Sequence, residues 1–168
     1  MDVVLVAPHT KISTPLFPLM EKEWLTRECI NMFQTIVFLR KSGLWQDIYA
    51  LAHPQVNRDN PRSFFVLNPE NKEVSRVWSG SYIVINPVFK PQGTLKKKRE
   101  GCLTFPRAPM APTMRYEKGT LFWKTPDNAD QITFVSGRLA QVVQHEIDHL
   151  NGKYIYMNQE ETKVPGVL

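Results

Sequence analysis

Two histidines and a glutamate near the C-terminus have the types and the spacing of a hydrolytic metal site. The segment Gln144–Leu150 places His145 and His149 four residues apart, with Glu146 directly after the first histidine. Residues four apart on a helix lie on the same face, so both imidazoles can bind one metal ion. The glutamate then reaches a water molecule on that ion, which is the arrangement for hydrolysis by a metal-activated water.

A catalytic site of this kind needs a third protein ligand beside the two histidines. Metalloproteases with this spacing take the third ligand downstream, but Ile155 occupies the position of a downstream histidine. Glu160 and Glu161 follow in a polar tail that has no helical pattern. Upstream, Cys102 lies in the turn-like segment Glu100–Thr104, and a thiolate is a good ligand for a borderline-soft divalent metal. Cys102 is therefore the better candidate.

Three segments taken together resemble the peptide deformylase family. Glu-Gly-Cys-Leu at residues 100–103 precedes Gln-His-Glu-x-Asp-His-Leu-x-Gly at residues 144–152 by about forty residues. Residues 48–55 are similar to the remaining family motif, Gly-x-Gly-x-Ala-Ala-x-Gln, in an altered form. The order and spacing of the three motifs agree, and the resemblance runs from about Glu21 to Met157.

The resemblance implies a hydrolase that removes the N-formyl group from N-formylmethionyl nascent peptides and releases formate. It implies one divalent metal, expected to be Fe(II), with Zn, Ni or Co able to occupy the same site. The implied metal ligands are Cys102, His145 and His149. Glu146 would be the general base, and the Gln55 amide and the Leu103 backbone N–H would stabilise the oxyanion.

The resemblance also implies how the peptide binds. The substrate main chain would pair as an extra strand with the backbone of two motif segments, which gives affinity without reading the sequence. A separate pocket would hold the methionine side chain. The residues assigned to substrate binding are Tyr49, Ala50, Glu100, Gly101, Arg138, Gln141 and Val142.

Arg138 and Gln141 depart from the aliphatic residues that family members usually carry in this region. In one interpretation both side chains turn outward at the pocket rim, with Arg138 reaching solvent by its long stem. In the other they form a polar pocket mouth that reads the second residue of the peptide. Both interpretations stay open at the level of sequence.

The first motif departs from the family pattern as well. Ile48 and Ala50 replace two glycines, and His53 replaces an alanine. Glycines at such positions permit close backbone approach, so these changes bear on substrate affinity more than on the chemistry. For His53 we expect a packing or hydrogen-bonding role near Gln55 rather than metal binding.

The pattern of elements predicts an α+β chain, with small antiparallel sheets packed around a central metal-binding helix and with an N-terminal helix. Apolar residues at helical spacing predict the N-terminal helix from Glu21 to about Ser42 and place Cys29 in the core. The second helix begins after Ser136 and ends at Asn151-Gly152. Predicted strands are Ser63–Leu67, Ser81–Asn86, Thr120–Lys124 and Gln131–Val135, with a hairpin turn at Asn128 and Asp130.

Length and composition predict a single domain over residues 1–168. Of the 168 residues, 42% are hydrophobic and 22% charged, as is ordinary for globular proteins, and no apolar run approaches a membrane span. Met1–Val6 is too brief for a signal peptide, and two cysteines make no disulfide framework. We expect a cytoplasmic protein of a bacterium, a phage-infected host or an organelle. The short segment after the second helix implies a compact family variant.

The chain has a net charge of +5, and its densest basic run is Lys96–Arg99. We interpret this run as a solvated loop or edge strand; the alternative is a contact with ribosomal RNA near the nascent-chain exit. No interleaved aromatic residues indicate base recognition, so we expect no specific nucleic acid and no membrane partner. The chain is expected to be a monomer that acts on N-formylmethionyl peptides.

Two alternative functions are weighed against a deformylase. A small metallopeptidase would cleave internal peptide bonds, but the missing downstream ligand argues against it. A catalytically weak, deformylase-like peptide-binding protein would be expected to have lost Glu146, Gln55 or Cys102, and all three are present.

Overall fold

The computed structural model describes residues 14–15, 22–43, 45 and 47–156. Glu21, the segment Met1–Val6 and the tail with Glu160 and Glu161 lie outside the described residues. In chain order the elements are α1 (Lys22–Lys41), β1 (Ala50–Ala52), a 3-10 turn (His53–Gln55), β2 (Phe64–Leu67), α2 (Lys72–Val77), β3 (Ile83–Glu100), β4 (Ala111–Lys124), β5 (Asp130–Ser136) and α3 (Gly137–Leu150).

The strands of the described chain form one antiparallel sheet in the order β1-β2-β3-β4-β5. The α+β class is confirmed, but the strands join in one sheet where the sequence predicted several small ones. The long β3–β4 hairpin makes this connection, because β3 pairs with β2 at Ile83–Ile85 and continues along β4 to Glu100. The turn after β4 has the predicted position, with Asn128 at φ 64° and the Ala129 carbonyl accepting from Thr125 N–H.

Strand β2 is buried on both faces, and the two long helices lie against opposite faces of the sheet. Phe64 and Val66 face α1, whereas Phe65 and Leu67 face α3. The layer with α1 contains Leu25, Cys29, Met32, Ile36, Leu39, Ile48, Leu51 and Ile85. The layer with α3 contains Val84, Leu121, Trp123, Val135, Leu139, Ala140, Val142, Val143 and Leu150. The strands under α3 therefore form the rigid base of any site on that helix.

Helix α1 carries Glu23 in its first turn and Arg40 and Lys41 in its last, which complements the helix dipole. Cys29 lies on its buried face with 3% of its surface exposed. Burial, together with the nearby Glu28 carboxylate, raises the pKa of the Cys29 thiol to about 12. Cys29 is thus an inert core residue, in the position that its helical spacing indicates.

Helix α3 follows β5 without an intervening loop, because the extended Ser136 (φ −145°) is both the last strand residue and the N-cap. The helix ends where Gly152 takes a left-handed φ of 71°, and Lys153 N–H then returns to the Asp148 carbonyl. None of the described helices has the length and hydropathy of a membrane span.

The two-sided burial of β2 gives a direct stability test. Phe64→Ala should lower the free energy of unfolding by about 3–5 kcal/mol, since the side chain is fully buried and the vacated space cannot be refilled. Phe134→Ala is the matched control, because Phe134 is 59% exposed and its loss should cost about 0.5 kcal/mol or less. Urea unfolding of both variants measures the difference, and equal losses would contradict the two-layer core.

Candidate metal centre

Three side chains from distant parts of the chain converge beneath the sheet. Cys102 comes from the loop after β3, and His145 and His149 come from successive turns of α3. The Cys102 sulfur lies 3.4 Å from His149 Nε2, which lies 3.0 Å from His145 Nε2. All three ligand atoms are within 4.8 Å of one another, so one small cation can contact all of them.

The Nδ1 atoms of both imidazoles donate hydrogen bonds to groups outside the cluster. His149 Nδ1 lies 3.1 Å from the Lys153 carbonyl oxygen, and His145 Nδ1 lies 3.0 Å from a carboxylate oxygen of Glu100. A carbonyl and a carboxylate only accept, so both Nδ1 atoms carry hydrogen. The two Nε2 atoms therefore point toward each other and toward the sulfur, so that a proton or a metal ion can lie between them.

The electrostatics of the cluster agree with its donor set. Burial by itself raises the pKa of Cys102, but the His149 charge and hydrogen bonds to both imidazoles lower it well below its usual range. Burial lowers the pKa of His145, yet hydrogen bonds to Cys102 and Glu100 raise it to about 10. The two shifts are reciprocal, because a thiolate on Cys102 and a positive charge on the imidazoles stabilise each other. The residues present fit a divalent metal that takes sulfur and nitrogen ligands.

A buried ion-pair network supports His145 from behind. Arg115 binds both oxygens of Glu100 at 2.8 Å and donates a third hydrogen bond of 2.6 Å to Asp148. Burial alone would raise the pKa of Glu100, but the hydrogen bonds from Arg115 and His145 hold it well below its usual range. Glu100 was assigned to substrate binding, which stays a prediction for its backbone, while its carboxylate lies between Arg115 and a candidate metal ligand.

Gly101 allows the cysteine loop to pack closely. A Cβ atom at this position would lie 3.2 Å from the Trp45 ring, closer than ordinary van der Waals contact. The loop therefore lies directly against an aromatic wall, which holds Cys102 under α3 with 2% of its surface exposed.

Glu146 is buried beside the cluster. It is 4% exposed, and its Oε2 has no hydrogen-bond partner among the described residues. Burial, the largest cause, raises the pKa of its carboxyl group, and the positive charge of the two histidines only partly offsets the effect. A carboxylate with a raised pKa and a free oxygen is suited to accept and return a proton.

Gln55 is fixed with its NH₂ group toward the cysteine. Its Oε1 accepts the Ala52 backbone N–H at 2.9 Å, and its Nε2 donates to Thr104 Oγ1 at 3.0 Å. The same Nε2 lies 3.9 Å from the Cys102 sulfur. An amide held at both ends is a preorganised donor next to the cluster.

His53 lies in the core, two residues before Gln55, rather than at the cluster. Its Nδ1 accepts the Arg62 backbone N–H at 3.0 Å, so its Nε2 carries hydrogen and donates to Glu28 at 3.1 Å. The ring also stacks on Phe64 with the centroids 4.6 Å apart. These contacts agree with the hydrogen-bonding and packing role expected for it.

A cavity of about 410 Å³ opens beside the cluster. Its walls include every residue assigned by sequence to catalysis or substrate binding, together with His145: Tyr49, Ala50, Gln55, Glu100, Gly101, Leu103, Arg138, Gln141, Val142 and Glu146. Of the two polar departures, Gln141 is buried with 6% of its surface exposed, whereas Arg138 is exposed. The outward orientation considered for both residues therefore does not apply to Gln141.

Several residues at the site escaped the sequence reasoning. They include Trp45, Asp47, Arg99 and Met110 in the cavity wall, the Gln55 partner Thr104, and Arg115 behind Glu100. Asn68 and Asn71 donate side-chain hydrogen bonds of 2.8 and 3.2 Å to the Ile48 carbonyl and so hold the first motif. An inward-facing arginine in β4 would have been a signal, but the predicted strand began only at Thr120.

Comparisons with known proteins agree with this geometry. The family model for polypeptide deformylase matches residues 2–164. The peptide deformylase of Wolbachia pipientis subsp. Culex pipiens (strain wPip) is 28% identical over 154 residues, which cover 89% of this chain and 82% of the relative. That of Helicobacter hepaticus is 30% identical over 122 residues, covering 73% and 62%. The crystal structure of peptide deformylase from Thermotoga maritima superimposes with a TM-score of 0.68 and 27% identity, covering 87% of this chain and 86% of that one.

The buried ion-pair network predicts that substitution of Arg115 strongly destabilises the fold. Arg115→Met should lower the free energy of unfolding by about 3–5 kcal/mol, because Glu100 would remain buried without its partner. Lys124→Met removes the cation of the exposed pair with Asp130 and should cost about 1 kcal/mol or less. Urea titration of both variants without metal measures the free energy of unfolding apart from any contribution of metal binding. Similar losses in the two variants would mean that the buried network stabilises the fold no more than an exposed ion pair does.

Proposed function

The chain belongs to the polypeptide deformylase family, and we propose that it removes the formyl group from N-formylmethionyl peptides at the Cys102–His145–His149 cluster. The observation that carries the proposal is the convergence of the three ligand atoms beside a buried, partly unpaired Glu146 and a fixed Gln55 amide. The products are formate and a peptide with a free N-terminal methionine.

The cofactor in this proposal is one divalent metal, with Fe(II) expected and Zn, Ni or Co as alternatives. When held by Cys102, His145 and His149, it supplies a water molecule whose pKa is lowered toward neutrality. Glu100 and the Lys153 carbonyl keep both imidazoles oriented and raise their basicity through the Nδ1 hydrogen bonds. In this way α3 serves as the central metal-binding helix of the fold.

Glu146 moves the protons of the reaction. It accepts a proton from the attacking water and later gives it to the nitrogen of the leaving peptide. Its burial and raised pKa support both roles, because a carboxyl group with a pKa closer to neutrality is an effective base and acid at physiological pH.

Gln55 and Leu103 stabilise the charge that develops on the formyl oxygen. The Gln55 side chain donates through Nε2, whose direction is set by the bond from Ala52 N–H to the other end of the amide. Leu103 contributes its backbone N–H from the loop after Cys102, and both residues line the cavity. Such donors act only on the charged transition state and therefore raise kcat.

The peptide main chain binds as an added strand between two backbone segments that line the cavity, Tyr49–Ala50 on one side and Glu100–Gly101 on the other. The side chain of the formylated residue enters the cavity along α3, past Val142. Strand addition recognises backbone alone, which suits an enzyme that processes many different new chains.

The cellular setting is part of the same proposal. A deformylase works where formylated chains are made, which is the cytoplasm of a bacterium or phage-infected host, or an organelle. We propose a monomer without membrane or specific nucleic-acid partners, in which Lys96–Arg99 is a solvated part of β3. Lys96 pairs with Glu117 at 3.0 Å, which supports this interpretation over a dedicated ribosome contact.

Glu146→Gln tests the proton transfer. It should lower kcat for formate release from formyl-Met-Ala-Ser by about 10²- to 10⁴-fold, because the amide cannot accept the proton. Metal content, measured after anaerobic purification, should remain unchanged. Glu70→Gln is the matched control, since Glu70 pairs with Arg40 away from the cavity. Peptide binding without turnover in the wild type would favour the peptide-binding alternative, and cleavage of internal peptide bonds would favour a metallopeptidase.

Gln55→Leu tests the oxyanion donor. It should lower kcat about 10²- to 10³-fold with a smaller change in KM, because the lost hydrogen bond acts mainly in the transition state. Gln92→Leu is the control, as Gln92 lies exposed on β3 and donates to Thr120. Steady-state formate release gives both constants. A loss confined to KM would assign Gln55 to ground-state binding instead.

A further inference from the structure

The cavity beside the candidate metal centre adjoins a second cavity. This second cavity, of about 270 Å³, lies between α2, β5 and the start of α3. Tyr49 and Arg138 line both cavities and are the residues that the two walls share. These two side chains therefore close the end of the first cavity.

Defined contacts hold the Tyr49 and Arg138 side chains, which separate the two cavities, in place. The Arg138 guanidinium lies 5.7 Å from the centroid of the Tyr49 ring, within the range of a cation–π contact. The Tyr49 hydroxyl donates to Glu73 on α2 at 3.1 Å, which fixes the ring from behind. Arg138 Nη1 also donates to Gln141 Oε1 at 2.9 Å. The cation is thus ordered at the boundary even though the residue is exposed.

Gln141 continues the polar wall toward the metal centre. Its Oε1 accepts from Arg138, and its Nε2 donates to the Arg99 carbonyl at 3.3 Å. Both ends of this buried amide are therefore satisfied within the protein, so an apolar side chain can lie against it without leaving a polar group unpaired. Arg138 differs from Gln141 in its capacity for further hydrogen bonds. Its guanidinium has five N–H donors, and the structure assigns one of them to Gln141.

The helix sets the order of these groups along the cavity. Gln141 lies one turn before His145 and Arg138 nearly two turns before it, or about 10 Å along the axis. A side chain attached next to the reacting formamide would pass Val142 and Gln141 first and reach Arg138 with its tip. Besides the groups at the cluster, the charged residues in the cavity wall are Arg138 and Arg99 as cations and Asp47 as an anion.

We propose that Arg138 is a specificity-determining residue, which donates a hydrogen bond to an acceptor at the δ position of the first side chain of the substrate. The site then takes unbranched side chains with an acceptor at that position, weakly for the sulfur of methionine and more strongly for the oxygen of methionine sulfoxide, over the all-carbon norleucine. This inference rests on the proposed deformylase function and names the substrate class within it: formylated peptides whose first residue is methionine in either its reduced or its oxidised form.

The test compares three peptides that differ at one atom or group: formyl-Met-Ala-Ser, its methionine sulfoxide form and its norleucine form. For the wild type, kcat/KM should be lowest for the norleucine peptide, higher for the methionine peptide and at least as high for the sulfoxide peptide. Arg138→Leu should lower the ratio of sulfoxide to norleucine kcat/KM by about tenfold to a hundredfold, the usual effect of losing a hydrogen bond to a charged group. The rate for the norleucine peptide should change less than the rate for the sulfoxide peptide.

Two further variants sharpen this test. Arg76→Leu removes a cation that lines the second cavity but not the first, so the sulfoxide-to-norleucine ratio should remain as in the wild type. Arg138→Lys keeps the charge without the planar guanidinium, so it should retain part of the ratio, and it serves as the test variant if Arg138→Leu does not fold. Thermal unfolding and metal content are measured for each protein before the kinetics.

The outcomes separate this inference from the proposed function. An equal change for all three peptides in Arg138→Leu would overturn the inference and leave deformylation intact. A changed preference for acidic over neutral second residues, with a constant ratio at the first residue, would overturn it in favour of a pocket mouth that reads the second residue. No formate from any peptide with the metal-loaded wild type would instead overturn the proposed function.

Discussion

The orientation of two imidazole rings is the constraint on which the rest of the site depends. Each ring donates its Nδ1 hydrogen to a group that can only accept. His145 donates to the Glu100 carboxylate, and His149 donates to the Lys153 carbonyl. Their remaining nitrogens then face inward toward Cys102, where a cation can lie between them. The roles proposed for Cys102, Glu146 and Gln55 rest on this geometry.

The fold supplies this geometry by joining distant segments with short connections. The end of β3 brings Glu100 and Cys102 under α3, and β5 leads directly into that helix. The supporting charges are buried, so they are stable only as a set: Glu100 needs Arg115, and Arg115 contacts Asp148 on the same helix as the ligands. The position of the helix on the sheet and the direction of the ligands are therefore set by the same contacts.

The sequence predicted the parts of the molecule that repeat locally or carry a motif. The helix over residues 137–150, the apolar stripe of α1 and the hairpin turn at Asn128 have local signals. The three motifs named residues that the fold brings together around one cluster and one cavity. It did not predict the full hairpin, because Lys96–Arg99 and its neighbours lack the alternation of a half-buried strand and are solvated in the structure. The role of Glu100 was also missed, since its partner Arg115 lies fifteen residues away and is brought close only by strand pairing.

The end of α3 has a consequence for the electronic character of the metal centre. The left-handed Gly152 turns the chain so that Lys153 N–H donates to the Asp148 carbonyl. The Lys153 carbonyl in turn accepts a hydrogen bond from His149 Nδ1. If His149 binds the proposed metal, that carbonyl polarises the ring, so the end of the helix sets how strongly the imidazole donates electron density to the ion. A residue there that shifted the turn by a fraction of an ångström would alter Lewis acidity, and hence metal preference, while every ligand stayed in place.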